Sequence, residues 1–252
     1  MKFTVLTLFP ELVETYFQSS IVAKAVERGL IGYQVVDIRT FAQDRHRTCD
    51  DAPYGGGAGM VMKPDVVARA IESVPRDHAL TLYPSPSGYP FNREGARRLA
   101  AQPELVLICG RYEGLDQRVI DTYVDLELSI GDYVISSGEL AAMVIIDGVF
   151  RLVDGVISTE SLQEESFEGQ LLEYPQYTRP EEFAGQRVPE VLLSGHHGRI
   201  RAWRRAQSIR KTAAVRPDLL ARADLSENEQ QMFREHKSQR ESDTEGESEW
   251  TW

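Results

Sequence analysis

Three short stretches of this 252-residue sequence have the residue types of a ligand cradle. They are Tyr83-Pro84-Ser85-Pro86-Ser87-Gly88, Gly110-Arg111-Tyr112-Glu113-Gly114 and Ser129-Ile130-Gly131-Asp132-Tyr133-Val134-Ile135-Ser136-Ser137-Gly138. Each mixes small residues, which let a ligand approach the backbone, with an aromatic side chain. Each follows an apolar, strand-like run, and in open α/β sheets ligands bind beyond the carboxyl ends of strands. One such stretch alone reads first as an ordinary turn. Three at equivalent places in one sheet bring a shared site level with that reading. A second chemistry comes from residues 196–216, HHGRIRAWRRAQSIRKTAAVR, which hold seven bases and no acid. The bases are Arg199, Arg201, Arg204, Arg205, Arg210, Lys211 and Arg216. Guanidinium forks suit phosphates, and Trp203 either packs into its domain or lies against a base. The competing reading is a solvated helix face, although no interleaved acids are present to form i, i+4 pairs.

The elements that must position these groups follow from periodicity. Residues 2–8 read as a strand, and Leu12 to Val26 follow at helical spacing from Pro10 to a stop at Gly29. Tyr33 to Arg39 reads as a strand and residues 40–63 as a long polar, glycine-rich loop. A helix starts at Pro64. His78 to Tyr83, Glu104 to Cys109 and residues 122–128 read as further strands, with helices at Asn92 to Ala101 and Gly138 to Leu152. The continuous apolar run ELVLIC suits a strand covered on both faces. Alternating strands and helices predict an α/β domain with a mainly parallel sheet over residues 1–157. Residues 158–170 read as a flexible linker, 171–225 as a small helical domain, and 226–252 as an acidic tail, first helical and then disordered.

Composition narrows the functional classes. Hydrophobic residues make up 42% and charged residues 27%, enough apolar material for a core. No apolar run is long enough for a membrane span, and the start MKFTVLTLFP reads as a strand, so a cytoplasmic protein is expected. Cys49 and Cys109 form neither a disulfide framework nor a C-x-x-C zinc pattern. His196 and His197 are adjacent and diverge by about 100° on a helix, so no metal ligand set is read. The net charge of −11 is uneven. Residues 217–252 hold ten acids against four bases, so the basic segment sits directly before an acidic one. Neither G-x-G-x-x-G nor a Walker loop occurs, and Gly55-Gly56-Gly57 with Gly59 reads as a mobile loop when taken alone.

Five runs then occur in order: DDAPYGGGAGMVMKP, CGRYEGLDQR, SIGDYVISSGEL, YPQYTRPEEF and SGHHGRIRAWRR. Together they resemble the bacterial tRNA (guanine-N1)-methyltransferases over residues 1 to about 220. The resemblance implies a SPOUT-class α/β domain with a deep trefoil knot, plus a small C-terminal all-helical domain. It implies S-adenosylmethionine as methyl donor and tRNA, at the anticodon stem-loop, as partner. It also implies a homodimer whose active site is shared between chains. The target is the guanine at tRNA position 37, next to the anticodon. Mg²⁺ is associated with the family, and nothing in the sequence assigns it a site.

Carried over by motif, the cofactor residues are Tyr83, Ser85, Pro86, Gly110, Tyr112, Glu113, Ile130, Gly131, Asp132, Tyr133, Val134, Ile135 and Gly138. The RNA-binding set is Arg199, Arg201, Trp203, Arg204, Arg205, Arg210 and Lys211. Guanine N1 carries a proton, so methyl transfer needs a base for that proton and a donor for O6. The resemblance gives the donor role to Arg151, in GVFRLVDG. It gives the base role to Glu165, which stands in Glu164-Glu165-Ser166-Phe167 where the family has aspartate. Asp51 is a further matched acid, expected to shape the target-base pocket. Ser137 stands where glycine is usual and Ala141 where proline is common; Ser137 is expected to narrow the backbone angles there.

Three other functions compete. A non-catalytic RNA-binding protein would keep the basic helix but has no need of three cofactor loops. A related knotted methyltransferase with another target nucleotide would lack DDAPYGGG and the YPQYTRP run. A small-molecule methyltransferase would not need the basic helix.

Overall fold

The structure, a computed structural model, describes residues 1–230. The expected helical-then-disordered tail falls mostly in residues 231–252, outside the described residues. The chain divides into two compact units, Met1–Ser158 and Thr159–Trp252.

The first unit runs β1 (Lys2–Thr7), α1 (Pro10–Phe17), α2 (Ser20–Glu27), β2 (Gly32–Asp37), β3 (Asp50–Asp51), β4 (Val61–Met62), α3 (Pro64–Glu72) and β5 (Ala79–Pro90). It continues through α4 (Arg93–Ala100), β6 (Glu104–Ile108), α5 (Gln117–Tyr123), β7 (Leu126–Ser129) and α6 (Gly138–Phe150). Five strands form one sheet in the order β2-β1-β6-β5-β7, with every pairing parallel. The central strand β6 shows why the sheet forms. Leu105 and Leu107 point into a cluster with Val13, Phe17, Leu99, Ile145 and Val149, whereas Val106 and Ile108 point into one with Val66, Ile71 and Val119. Alternation with period two, both faces apolar, is the mark of a strand covered by helices on both sides. All four side chains are fully buried, and truncating a buried leucine of this kind to alanine costs about 2–5 kcal/mol.

Several elements differ from the sequence expectation. The helix expected through Val26 is two helices. The Ser19 hydroxyl donates to the Thr15 carbonyl at 2.6 Å, Ser19 is extended, and Ser20 has φ 52°. Serine competing for backbone partners breaks the run. The strand expected at 122–128 begins only at Leu126, because residues 117–123 close as α5 behind the Asp116 cap. Asp125 then pairs with Thr81 through both its amide and its carboxylate. The glycine-rich loop is a hairpin, with Asp50 opposite Met62 and Asp51 opposite Val61.

The segment 158–170 carries α7 (Thr159–Glu164) and a 3₁₀ turn at Glu168–Gln170, both in the second unit. Extended chain follows, then the two-residue strands β8 (Glu182–Phe183) and β9 (Gln186–Arg187), where only helix was expected. The unit continues with α8 (Glu190–Leu193), α9 (His197–Val215) and α10 (Pro217–Leu220). Its small core is built around Leu171, Ile209 and Leu220.

Candidate active site

The carboxyl ends of β5, β6 and β7 open into a cavity of about 330 Å³. Its walls are residues 83–87, 110–114, 128–131 and 133–138, with Ala141 from α6. The three stretches singled out in the sequence therefore meet. Every carried-over cofactor position lies on this wall except Asp132, which is exposed.

Register explains the first wall. Pro84 and Tyr89 both pair with Leu128 of β7, so residues 85–88 loop out of the ladder, and 85–87 of them line the cavity. Gly88 sits where the loop closes; a Cβ there would run into the backbone of Glu127 and Leu128. A second close approach joins the other walls. The Gly138 amide donates to the Gly110 carbonyl at 3.1 Å, and a Cβ on Gly138 would lie 2.6 Å from Gly110 N and 2.7 Å from Gly110 O. Ser137, next to it, is extended at φ −153°. Any residue adopts that conformation, so the missing glycine costs the backbone nothing here, contrary to the sequence expectation.

The loop after β6 is held from outside. Glu113 N–H donates to the Met60 carbonyl and Met62 N–H to the Gly114 carbonyl, which fixes the base of the glycine arm 52–60 beside the cavity. Gly55, Gly56, Gly57 and Gly59 all have positive φ, and Tyr54 at the arm's tip is almost fully exposed. Tyr112 is itself left-handed at φ 59°. Burial, and secondarily the Asp50 carboxylate, push its phenol above the usual range. Burial does the same to the Tyr83 phenol and pushes the Cys109 thiol far up, with the nearby Glu139 charge adding to the latter shift. Cys109 is thus an inert packing group at neutral pH. Arg111, unassigned from the sequence, crosses from its loop to donate to the Ser136 carbonyl at 2.6 Å, and its guanidinium lies 4.2 Å from the Phe9 ring centroid.

Neither Asp51 nor Arg151 lines the cavity, and Glu165 belongs to the second unit. Asp51 is exposed at the start of the glycine arm, its carboxylate accepting from the Ala52 amide. Arg151 caps the end of α6 and is half-buried. Glu165, in the second unit, is half-buried between α7 and the 3₁₀ turn. Its neighbour Glu164 is committed: it accepts from the Tyr174 hydroxyl at 2.5 Å and faces Arg204 at 3.4 Å, while Arg204 stacks 4.6 Å from the Tyr174 ring.

The basic helix α9 sorts the expected RNA residues into two groups. Trp203 packs against Tyr177, and Arg205 pairs with Glu229 at 2.8 Å and with the Asp224 carbonyl. The Arg205 partnership holds the Glu229 carboxyl down at about 2. With Arg204 also engaged, three of the seven residues have internal partners. Arg199, Arg201, Arg210 and Lys211 are exposed. Among the described residues, no cluster of three or more His, Cys, Asp or Glu forms a metal-ligand set, and no helix is long and apolar enough to cross a membrane.

A parallel α/β sheet with a cofactor-sized cavity beyond three adjacent strand ends defines the open-sheet class of ligand-binding α/β proteins. Within that class the chain belongs to the tRNA (Guanine-1)-methyltransferase TrmD family, whose profile matches residues 1–222. It is 60% identical to a Treponema denticola tRNA (guanine-N(1)-)-methyltransferase over 223 residues, 88% of this chain and 92% of the relative. It is 55% identical to the Treponema pallidum protein of the same name, over 90% of each chain. With the Borreliella burgdorferi protein it shares 54%, over 87% of this chain and 92% of that one.

Proposed function

We propose that the chain is an S-adenosylmethionine-dependent methyltransferase acting on N1 of the tRNA guanine at position 37. The observation that carries the reading is the three-loop cavity in a chain whose named relatives are tRNA (guanine-N(1)-)-methyltransferases. The cavity's residues fit the cofactor. Its volume is within the range of small-molecule sites, at about 300–1,000 Å³. Leu128, Ile130, Val134 and Ile135 give apolar walls for a flat ring, and the small residues at 85–87, 110 and 136–138 bring backbone polar groups to its surface. When bound there, the sulfonium cofactor supplies an electrophilic methyl group. The protein's residues do the rest: Glu165 takes the N1 proton, Arg151 stabilises negative charge at O6, and the glycine arm with Asp51 shapes the entry of the base. The target nucleotide leaves its stack to reach them.

The wider reading has four parts. Membership of the family supports the deep knot. Exposed Leu12, Leu140 and Val144 on α1 and α6 support a homodimer with a shared site. Action on tRNA supports a cytoplasmic location. Mg²⁺ is given no site.

Exposed Arg199, Arg201, Arg210 and Lys211 are the groups assigned to the anticodon-stem phosphates. Replacing all four with alanine is expected to weaken tRNA binding and to flatten its salt dependence by about 0.7–0.9 per lost phosphate contact. Filter binding across a salt series measures this. An unchanged slope would remove α9 from the RNA interface. The reaction itself is tested by incubating the protein with labelled S-adenosylmethionine and either unmodified tRNA or free guanosine. Label is expected in tRNA alone, whereas labelled guanosine would favour a small-molecule enzyme.

A further inference from the structure

Glu139 is fully buried at the start of α6, in a segment that is otherwise apolar apart from Asp147. A buried carboxylate is retained only if its oxygens find donors. Here each oxygen has one. Oε1 accepts from the Thr7 hydroxyl at 2.6 Å, and Oε2 accepts from the Ser137 hydroxyl at 2.5 Å. Arg111 Nε lies 3.9 Å from Oε2. Thr7 is buried at the end of β1, and its hydroxyl also accepts from the Phe9 amide. Arg111 belongs to the loop after β6, donates to the Ser136 carbonyl and stacks on Phe9. One carboxylate thus gathers the exits of β1 and β6 and the entry to α6. Residues 110–114 and 133–138 are two facing walls of the cavity, and Arg111 is the strut between them.

We propose that Glu139 is a positioning residue that pre-organises the cofactor cavity, with Thr7 and Ser137 fixing its carboxylate and the carboxylate aiming Arg111 at Ser136. It touches no cofactor itself. Its effect is to hold the two walls at binding distance before the cofactor arrives, so its loss appears mainly as weaker cofactor binding. The Ser137 hydroxyl supplies the donor to Oε2 from the entry of α6 itself. The inference rests on the cofactor reading of the cavity, but its test separates the two, since the parent protein must first bind the cofactor.

The experiment titrates full-length protein with S-adenosylmethionine by calorimetry, alongside thermal melts and steady-state kinetics with tRNA. The variants are Glu139→Gln, Thr7→Val, Ser137→Ala, Arg111→Lys and the Glu139→Gln/Arg111→Lys pair. Glu139→Gln is expected to raise the dissociation constant about tenfold or more, and Thr7→Val and Ser137→Ala about threefold to fivefold each. KM for the cofactor should rise by more than kcat falls. The double variant should bind no more weakly than about twofold beyond the worse single variant, because both changes release the same strut. Should Glu139→Gln fail to fold, Ser137→Ala and Thr7→Val carry the test with the carboxylate in place. Parent-like affinity in both of those variants, or fully multiplicative losses in the pair, would overturn the proposal. So would a lowered melting temperature with unchanged cofactor affinity, which is the signature of a purely structural role.

Discussion

Gly138→Ala is expected to abolish measurable cofactor binding, even at about 100-fold the parent's dissociation constant. The obstacle is backbone. A methyl group at this position would stand 2.6 Å from Gly110 N and 2.7 Å from Gly110 O, with Cys109 C at 3.1 Å. Ordinary contact begins near 3.4 Å, so the entry to α6 or the loop after β6 must move by the better part of an ångström. Both flank the cavity, and neither has a flexible side chain to yield. Gly95 is the control. A methyl there meets only Asn92 Oδ1 at 3.6 Å and Phe91 Cδ2 at 3.9 Å, both ordinary contacts. Gly95→Ala should therefore keep full affinity and gain up to about 1 kcal/mol of stability from helix propensity. Calorimetry on the pair decides; normal affinity in Gly138→Ala would mean that the two walls are not fixed against each other.

Glu165→Gln is expected to lower single-turnover methylation by about 10² or more while cofactor and tRNA affinities stay within about twofold. Glu164 provides the comparison, because its carboxylate is already held by Tyr174 and faces Arg204. Glu164→Gln should therefore disturb the second unit's packing rather than the chemistry, with a lower melting temperature and a smaller loss in rate. Arg151→Ala should lose rate on the scale of Glu165→Gln, with binding intact. Single-turnover conditions are required, since slow product release would mask the loss. The proposed sharing of the site between two chains adds a further outcome. Co-expressed Glu165→Gln and Arg151→Ala chains should recover about a quarter of the parent's active sites through mixed dimers. No recovery would contradict sharing between chains. A dead Glu164→Gln beside a fully active Glu165→Gln would move the base by one residue.

What the sequence made legible was set by local physics. The run ELVLIC announces a strand buried on both faces, and Asn92 announces a helix start with a cap that accepts from Gly95 N. The three cavity loops were legible because small residues cluster after apolar runs. The four-residue excursion at 85–88 was not, since it arises from register with β7 rather than from residue type. The break at Ser19 was hidden by a helical period that continues across it. Glu139 carried a weak signal, an acid beside a stretch of apolar residues, whereas its partner Thr7 lies 132 residues away and no spacing reveals the pair. The same limit applies to α9. Composition presents seven equivalent bases, and only the fold shows Arg204 and Arg205 committed to Glu164 and Glu229.

The central claim is methyl transfer from S-adenosylmethionine to N1 of the guanine beside the anticodon. Its most direct measurement is nucleoside mapping of an unmodified tRNA transcript after incubation with the protein and methyl-labelled cofactor. A parallel transcript carries adenine at position 37. The account predicts label solely as N1-methylguanosine at that position in the first transcript and none in the second. Label on another nucleotide, or equal label in both transcripts, would contradict it.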